Sequence, residues 1–248
     1  MAAEFQTGAN PIDAALPRAA PRFSICTLVT DHAQYQTMVA TFTARGFTPE
    51  TCEFLYLDNS QGPAWDAYRG IARLMAMARA PHLILCHQDV RLLEDDAQAL
   101  AARLAELDTL DPAWALAGNA GGTETGDLAI RISDPYGEDQ RRGALPARVA
   151  SLDENFIVLR RDAPVGLSAD LTGFHFYGAD LCIHARLAGR SAWVIDFHLR
   201  HLSPGTKDHT FKAAQARFEG KYRALFALPW RIRTTCAWLR LKRNWLRR

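Results

Sequence analysis

Residues 82–96 read HLILCHQDVRLLEDD, and the reading of this stretch decides the fold. Leu83 to Cys86 form a short continuous apolar run, and His87, Gln88 and Asp89 follow it directly. An apolar run of that length bounded by polar residues suits a strand buried on both faces, as in a mostly parallel sheet flanked by helices. The polar triplet then stands at the strand's carboxyl end, the edge of an open α/β sheet where ligands bind. A His and an Asp at alternate positions offer an imidazole nitrogen and a hard carboxylate oxygen to a divalent cation. A strand end that merely meets solvent has the same composition, so the triplet gains meaning only from its surroundings.

Working outward, strand-like and helix-like segments alternate. RFSICTLVT (Arg22 to Thr30) precedes a helix from about Ala33 to Arg45, and CEFLYLDNS (Cys52 to Ser60) precedes one from Ala64 to Arg79. In the latter Ala64, Ala67, Tyr68, Ile71, Leu74, Met75 and Ala78 recur at three- and four-residue spacing, the stripe of a helix lying on a sheet. After HLILC come a helix around Asp96 to Leu107 and the apolar run AWALAGN (Ala113 to Asn119). This alternation predicts an α/β fold with right-handed crossovers. Gly118 to Arg148, rich in Gly, Asp, Arg and Pro, is expected to be a long loop or irregular hairpin that carries specificity. VASLDENFIVLRR (Val149 to Arg161) and SAWVIDFHLRH (Ser191 to His201) read as strands, flanking a helix from about His175 to Leu187, and a last helix spans Lys207 to Phe226.

The chain of 248 residues is 48% hydrophobic and 23% charged, enough for one large globular domain. Its expected layout is a flexible leader over 1–21, a domain over 22–228 and a basic amphipathic helix over 229–248. Cys26, Cys52, Cys86, Cys182 and Cys236 form no C-x-x-C pair and read as reduced thiols of a cytoplasmic protein. Neither a secretory signal nor an apolar run of membrane-spanning length is evident. Net charge is +2, but Trp230 to Arg248 holds seven basic residues and no acid, which leaves −5 on the rest. That distribution excludes a nucleic-acid-binding body. On a helical wheel Trp230, Thr234, Ala237, Trp238, Leu241 and Trp245 share one face and the arginines another. The expectation is a peripheral helix on an anionic membrane surface, at the inner face of the membrane.

The three strand ends carry Thr30-Asp31, Asp58-Asn59 and His87-Gln88-Asp89, and in a parallel sheet all lie along one edge. With TLVTDH, FLYLDNSQG, LILCHQDVRLL, VASLDENFIVLRRD and GFHFYGADLCIHARLAG in this order, the chain resembles the GT-A glycosyltransferases, over roughly Phe23 to Phe226. Within them it is similar to the family-2-like inverting enzymes, in a short branch carrying HQDV where most members carry Asp-x-Asp. The resemblance implies a GT-A, Rossmann-like domain over 22–228 and a nucleotide-sugar donor contacted by Thr30, Asp31, Asp58, Asn59, His87 and Gln88. It further implies Mn²⁺ or Mg²⁺ on Asp89 and His201, Asp180 as the general base, and an acceptor pocket of Asp153, Glu154, His175 and Tyr177. The acceptor would be a glycan, a lipid-linked sugar or a small molecule.

Two other functions remain open on the sequence. His87, Asp89, Asp180, His198 and His201 could form the cluster of a metal-dependent hydrolase. The His in place of Asp in HQDV suits a catalytically inactive GT-A-like binding module in a glycan assembly complex.

Overall fold

A computed structural model describes residues 21–62, 64–205, 209–226, 231–233, 235–236 and 238–240. Residues 1–20 of the expected leader lie outside them. Along the chain run β1 (Phe23–Val29), α1 (His32–Ala44), β2 (Cys52–Asp58), α2 (Ala67–Met77), β3 (His82–Cys86), β4 (Val90–Leu92), α3 (Ala97–Leu110) and β5 (Trp114–Gly118). There follow β6 (Ala120–Gly122), β7 (Leu128–Asp134), β8 (Gly137–Arg142), β9 (Ala147–Val149), β10 (Ser151–Leu152) and β11 (Phe156–Arg160). The carboxyl part holds α4 (Tyr177–Leu187), β12 (Ser191–Val194), β13 (Leu199–His201), α5 (His209–Phe226), β14 (Arg231–Arg233) and β15 (Trp238–Arg240).

The main sheet has the order β2-β1-β3-β11-β5-β12-β9. β2, β1, β3, β5 and β12 share one direction, as the alternating pattern predicts, while β11 and β9 run against them. Alternate residues of the central strands face opposite layers. Ile25, Ile84, Phe156 and Val158 pack with Met38, Phe42, Leu100, Leu104 and Leu107 of α1 and α3. Cys26, Leu83, Leu85, Ile157 and Leu159 pack with Tyr68, Ile71 and Leu74 of α2 and with Leu181 and Ala185 of α4. Burial on both faces is why these strands read as unbroken apolar runs. Each fully buried Leu, Ile, Val, Phe or Met among them contributes about 1.5–3 kcal/mol.

A second sheet, ordered β10-β6-β7-β13-β4 with β8 paired to β7, stacks beside the first. Of the two forms expected for the Gly118 to Arg148 segment, it takes the irregular hairpin and not the long loop: β6, β7 and β8 pair antiparallel, with the register shifting between Ile132 and Asp134. Ile130 and Ile132 supply the β-branched positions of β7, and the Asp134–Gly137 turn returns the chain as the polar edge strand β8. Two segments read as single strands are each broken: Asp153 to Asn155 divides β10 from β11, and Ile195 to His198 carries the chain from β12 into β13 of the other sheet.

The expected C-terminal helix is corrected where residues are described. Arg231–Arg233 and Trp238–Arg240 pair as an antiparallel ribbon with Ile232 opposite Leu239. β-branched Ile232, in the first strand of the ribbon, favours extended backbone over helix. The remainder of 229–248 lies outside the described residues. Among those described, no helix is long and apolar enough to cross a membrane.

Candidate active site

Three features of the fold converge on the carboxyl edge of β3. First, His87 to Asp89 form the turn through which the chain leaves the main sheet for β4, closed by a hydrogen bond from Val90 N to His87 O of 3.3 Å. Second, β13 pairs antiparallel with β4 in a register that sets His201 opposite Val90, and Leu202 N donates to Asp89 O at 3.1 Å. Third, antiparallel β11 begins where β3 ends: His87 N donates to Asn155 O at 3.0 Å, so Asp153 and Glu154 arrive at the same edge. An all-parallel sheet would have put them at the opposite end.

His87, Asp89 and His201 offer ligand atoms that all lie within 4.8 Å of one another. His201 Nε2 lies 3.3 Å from Asp89 Oδ1, 3.4 Å from His87 Nδ1 and 3.3 Å from Ser203 Oγ. Burial pushes the Asp89 carboxyl up, but the hydrogen bond and charge of His201, then the charge of His87, outweigh it and hold Asp89 well below the usual carboxylate range. For His201 burial acts downward, and the Asp89 hydrogen bond and charge raise it overall. His87 is lowered by burial first and by the neighbouring His201 second. Two imidazoles and an ionised carboxylate in a tight cluster fit a divalent metal, and this donor set suits Mn²⁺ better than the more strictly oxygen-seeking Mg²⁺.

The cluster opens into a cavity of about 850 Å³. Thr30 and Gln88 line it, with Asp153, Glu154, Asn155, His175, Tyr177 and Asp134 around the metal cluster. Gln88 ties the ends of β1 and β3 together: its Oε1 accepts from Thr30 N at 2.8 Å and Asp31 N at 3.0 Å, and its Nε2 donates to Thr30 Oγ1 at 2.8 Å. Glu154 Oε1 accepts from Gly178 N at 3.1 Å, capping α4, whose Phe176 N-cap has no side-chain bond of its own. Burial is the main reason its carboxyl is pushed up to about 8, with the charge of Asp153 adding to it against the Gly178 hydrogen bond. Asp89, Asp134, Asp153 and Glu154 line the cavity, and no Lys or Arg does so among the described residues.

Several expected site residues do other work. Asp31 caps α1, accepting from Ala33 N at 2.9 Å and Gln34 N at 3.1 Å. Asp58 accepts from Ser60 N at 2.8 Å and meets His32 Nε2 at 3.1 Å; it stands on the expected edge, exposed and outside the cavity lining. Asn59 is buried and spends its amide on the turn to Trp65, with bonds of 2.8 and 2.9 Å. The Tyr177 hydroxyl is engaged by His87 and by the Glu154 carbonyl, so it is not a free acceptor contact. His175 lines the cavity, its carbonyl bonded to Tyr68.

Asp180, expected as the base, is the largest correction. It is 0% exposed, lies off the cavity lining, and accepts from Ser168 N at 2.8 Å, Ser168 Oγ at 2.7 Å and the Tyr222 hydroxyl. Its carboxylate joins α4, α5 and the 163–176 segment in the interior, away from the cavity. His198 likewise points into a buried network, with Nε2 2.9 Å from Ser133 Oγ. The five-residue hydrolase cluster thus reduces to three. Sequence reasoning missed Asn155, whose Oδ1 is buried without a partner beside the cavity, and the exposed aromatics Tyr136 and Phe174 at its rim. Asn155 sits inside SLDENF, but nothing in the sequence separates its role from that of its acidic neighbours.

No family model matches the sequence. The ATP synthase subunits region ORF 6 protein of Fuscovulum blasticum is 39% identical over 216 residues, covering 85% of this chain and 86% of that protein. Among solved structures, the mannosyltransferase PcManGT from Pyrobaculum calidifontis, in complex with GDP-Man and Mn²⁺, superposes with a TM-score of 0.54 at 12% identity. The match covers 87% of this chain and 68% of PcManGT. S. aureus TarS gives a TM-score of 0.52 at 10% identity over 81% of this chain, which spans only 39% of TarS. At such identities the likeness is one of fold.

Proposed function

The chain belongs to the family of the Fuscovulum blasticum ORF 6 protein, and we propose that it is a metal-dependent, inverting glycosyltransferase using a nucleoside-diphosphate sugar. The observation that carries this reading is the His87–Asp89–His201 cluster at the strand edge of a cavity lined by Asp89, Asp134 and Asp153, by Glu154 in its neutral form, and by no described Lys or Arg. A diphosphate brought into such a cavity meets repulsion unless a cation accompanies it. Bound to the three residues, Mn²⁺ would supply Lewis-acid neutralisation of the diphosphate and its leaving oxygen. The neighbouring fold of PcManGT, with its GDP-Man and Mn²⁺, supports the same assignment of donor class.

In this reading the nucleoside lies over Thr30 and Gln88, and Asp31 and Asp58 stand on the same strand edge outside the cavity lining. Asp153 is the general base. Its carboxylate faces the cavity and is oriented by Asn155 N at 3.0 Å. The acceptor hydroxyl gives its proton to Asp153 as its oxygen bonds to the anomeric carbon, the bond from that carbon to the donor phosphate breaks, and the nucleoside diphosphate departs. A single displacement of this kind inverts the anomeric centre. Tyr136 and Phe174, 73% and 43% exposed, line the cavity where a sugar ring of the acceptor could stack. The acceptor classes are a glycan, a lipid-linked sugar or a small molecule.

Thermal shift of the full chain with nucleoside diphosphates and their sugars, with and without Mn²⁺, tests the reading. A ligand at 100-fold its Kd stabilises by about 2.7 kcal/mol, roughly 5–10 °C in a chain of this size. The shift should require Mn²⁺. A full nucleotide screen that leaves the midpoint unmoved with Mn²⁺ present overturns the proposal.

A further inference from the structure

We propose that Tyr177 is a positioning residue for the metal: it fixes His87 in the tautomer whose Nδ1 faces Asp89 and His201. The inference rests on the metal-site reading above, and its chain of bonds is read from heavy-atom geometry. The Tyr177 hydroxyl is 2.9 Å from the main-chain oxygen of Glu154 and 2.9 Å from His87 Nε2. A carbonyl oxygen can only accept, and a phenol has one proton, so that proton is committed to Glu154 O. Toward His87 the phenol oxygen therefore has only lone pairs to offer. His87 Nε2 must carry the hydrogen, and in a neutral imidazole this leaves Nδ1 bare.

Nδ1 is the nitrogen that lies 3.4 Å from His201 Nε2, inside the cluster. The alternative tautomer would aim an N–H at the metal position and a lone pair at another lone pair. The order of the relay, from main-chain carbonyl to phenol to imidazole to cation, has a structural basis. Tyr177 opens α4, and Gly178 beside it lets the helix start press on β10: a Cβ at Gly178 would stand 2.4 Å from Leu152 O. Tyr177 is buried, which limits competition from water for both bonds. Groups that orient a metal-bound imidazole through its second nitrogen typically contribute 10–100-fold to metal affinity.

The test uses metal-free full-length protein labelled with ¹⁵N-histidine. Long-range ¹H–¹⁵N spectra, with His87 identified by its loss in His87→Gln, report the tautomer. Mn²⁺ titration followed by water-proton relaxation reports affinity. The wild type should show His87 protonated at Nε2. Tyr177→Phe should populate the Nδ1–H form and raise the Kd for Mn²⁺ 10–100-fold. A wild-type His87 carrying its hydrogen on Nδ1 overturns the proposal, and this measurement decides even if Tyr177→Phe fails to fold. So does a Tyr177→Phe protein that loses affinity with its tautomer unchanged, or that keeps both. Neither readout involves a sugar donor, so failure of the transferase reading would appear in the nucleotide screen and leave this result intact.

Discussion

Replacing Asp180 by Asn separates a structural carboxylate from a catalytic one. Asp180 Oδ2 receives Ser168 N, and Oδ1 receives both Ser168 Oγ and the Tyr222 hydroxyl, all in the interior. Hydrogen bonds to a charged acceptor contribute about 1.5–3 kcal/mol each, and an orphaned buried donor costs about 1–3 kcal/mol. Asn keeps one oxygen and presents an NH₂ where the other stood. With that oxygen kept for the fixed Ser168 N–H, the two hydroxyls must reorient around a donor and one proton loses its acceptor. Relief of desolvation of the buried charge offsets part of this. The net expectation is a loss of about 2–4 kcal/mol, or roughly 5–15 °C in melting temperature. Urea unfolding should show a lower midpoint at unchanged m. A cycle with Tyr222→Phe should give a coupling of about 1–3 kcal/mol. An Asp180→Asn protein that unfolds at the wild-type midpoint yet loses 10²–10⁴-fold in turnover, the range for a missing general base, would refute the reasoning.

Asp153→Asn is expected to lower turnover by about 10²–10⁴-fold with nearly unchanged donor affinity, measured by sugar transfer against nucleotide titration; equal turnover moves the base elsewhere. Asp89→Ala should abolish Mn²⁺ binding by calorimetry with the fold kept, His201→Ala should weaken it less, and equal Mn²⁺ affinity in Asp89→Ala and wild type would dismiss the cluster. Glu154→Gln tests the buried acid: the folded chain keeps a proton up to about pH 8 that the unfolded chain releases near 4.5, so wild-type stability falls as pH rises between them. Between pH 6 and 8 that is about 2 kcal/mol, so the melting temperature of wild type should drop relative to Glu154→Gln by roughly 4–9 °C. Parallel pH profiles of the two proteins would show that Glu154 is ordinary.

The central layer was legible because burial on both faces removes the ambiguity of pattern. The apolar runs of HLILC and FIVLR can be unbroken only if helices cover both sides, and they do. β8 was not legible, since GEDQRR is an exposed edge strand whose partner β7 alone specifies it. Strand direction was legible only as an average. Nothing in VASLDENFIVLRR says that its apolar half runs against β3, and that reversal is what delivers Asp153 and Glu154 to the cavity. In the described part of the tail the wheel misled because one can be drawn through any periodic sequence, while the preference of Ile232 for extended backbone is local and easily overlooked.

Carboxylates set the limit on reading roles from residue types. Asp31, Asp66 and Asp96 each stand just before a helix and accept its first N–H groups, a use chemically identical, in sequence, to a strand-end carboxylate waiting for a ribose. Asp180 is bound by partners 12 and 42 residues away, which no local pattern reveals. Charge is where the sequence and the site meet. The body of the chain carries −5 once its basic tail is set aside, and the cavity concentrates that excess: Asp89, Asp134 and Asp153 line it without a described Lys or Arg, beside Glu154 in its neutral form. Such charge disfavours a free diphosphate and favours a cation, and of the three aspartates only Asp89 has two imidazoles beside it to share one. Under the proposed transferase reading the binding order is metal before donor, with nucleotide affinity that should vanish when the cation is chelated.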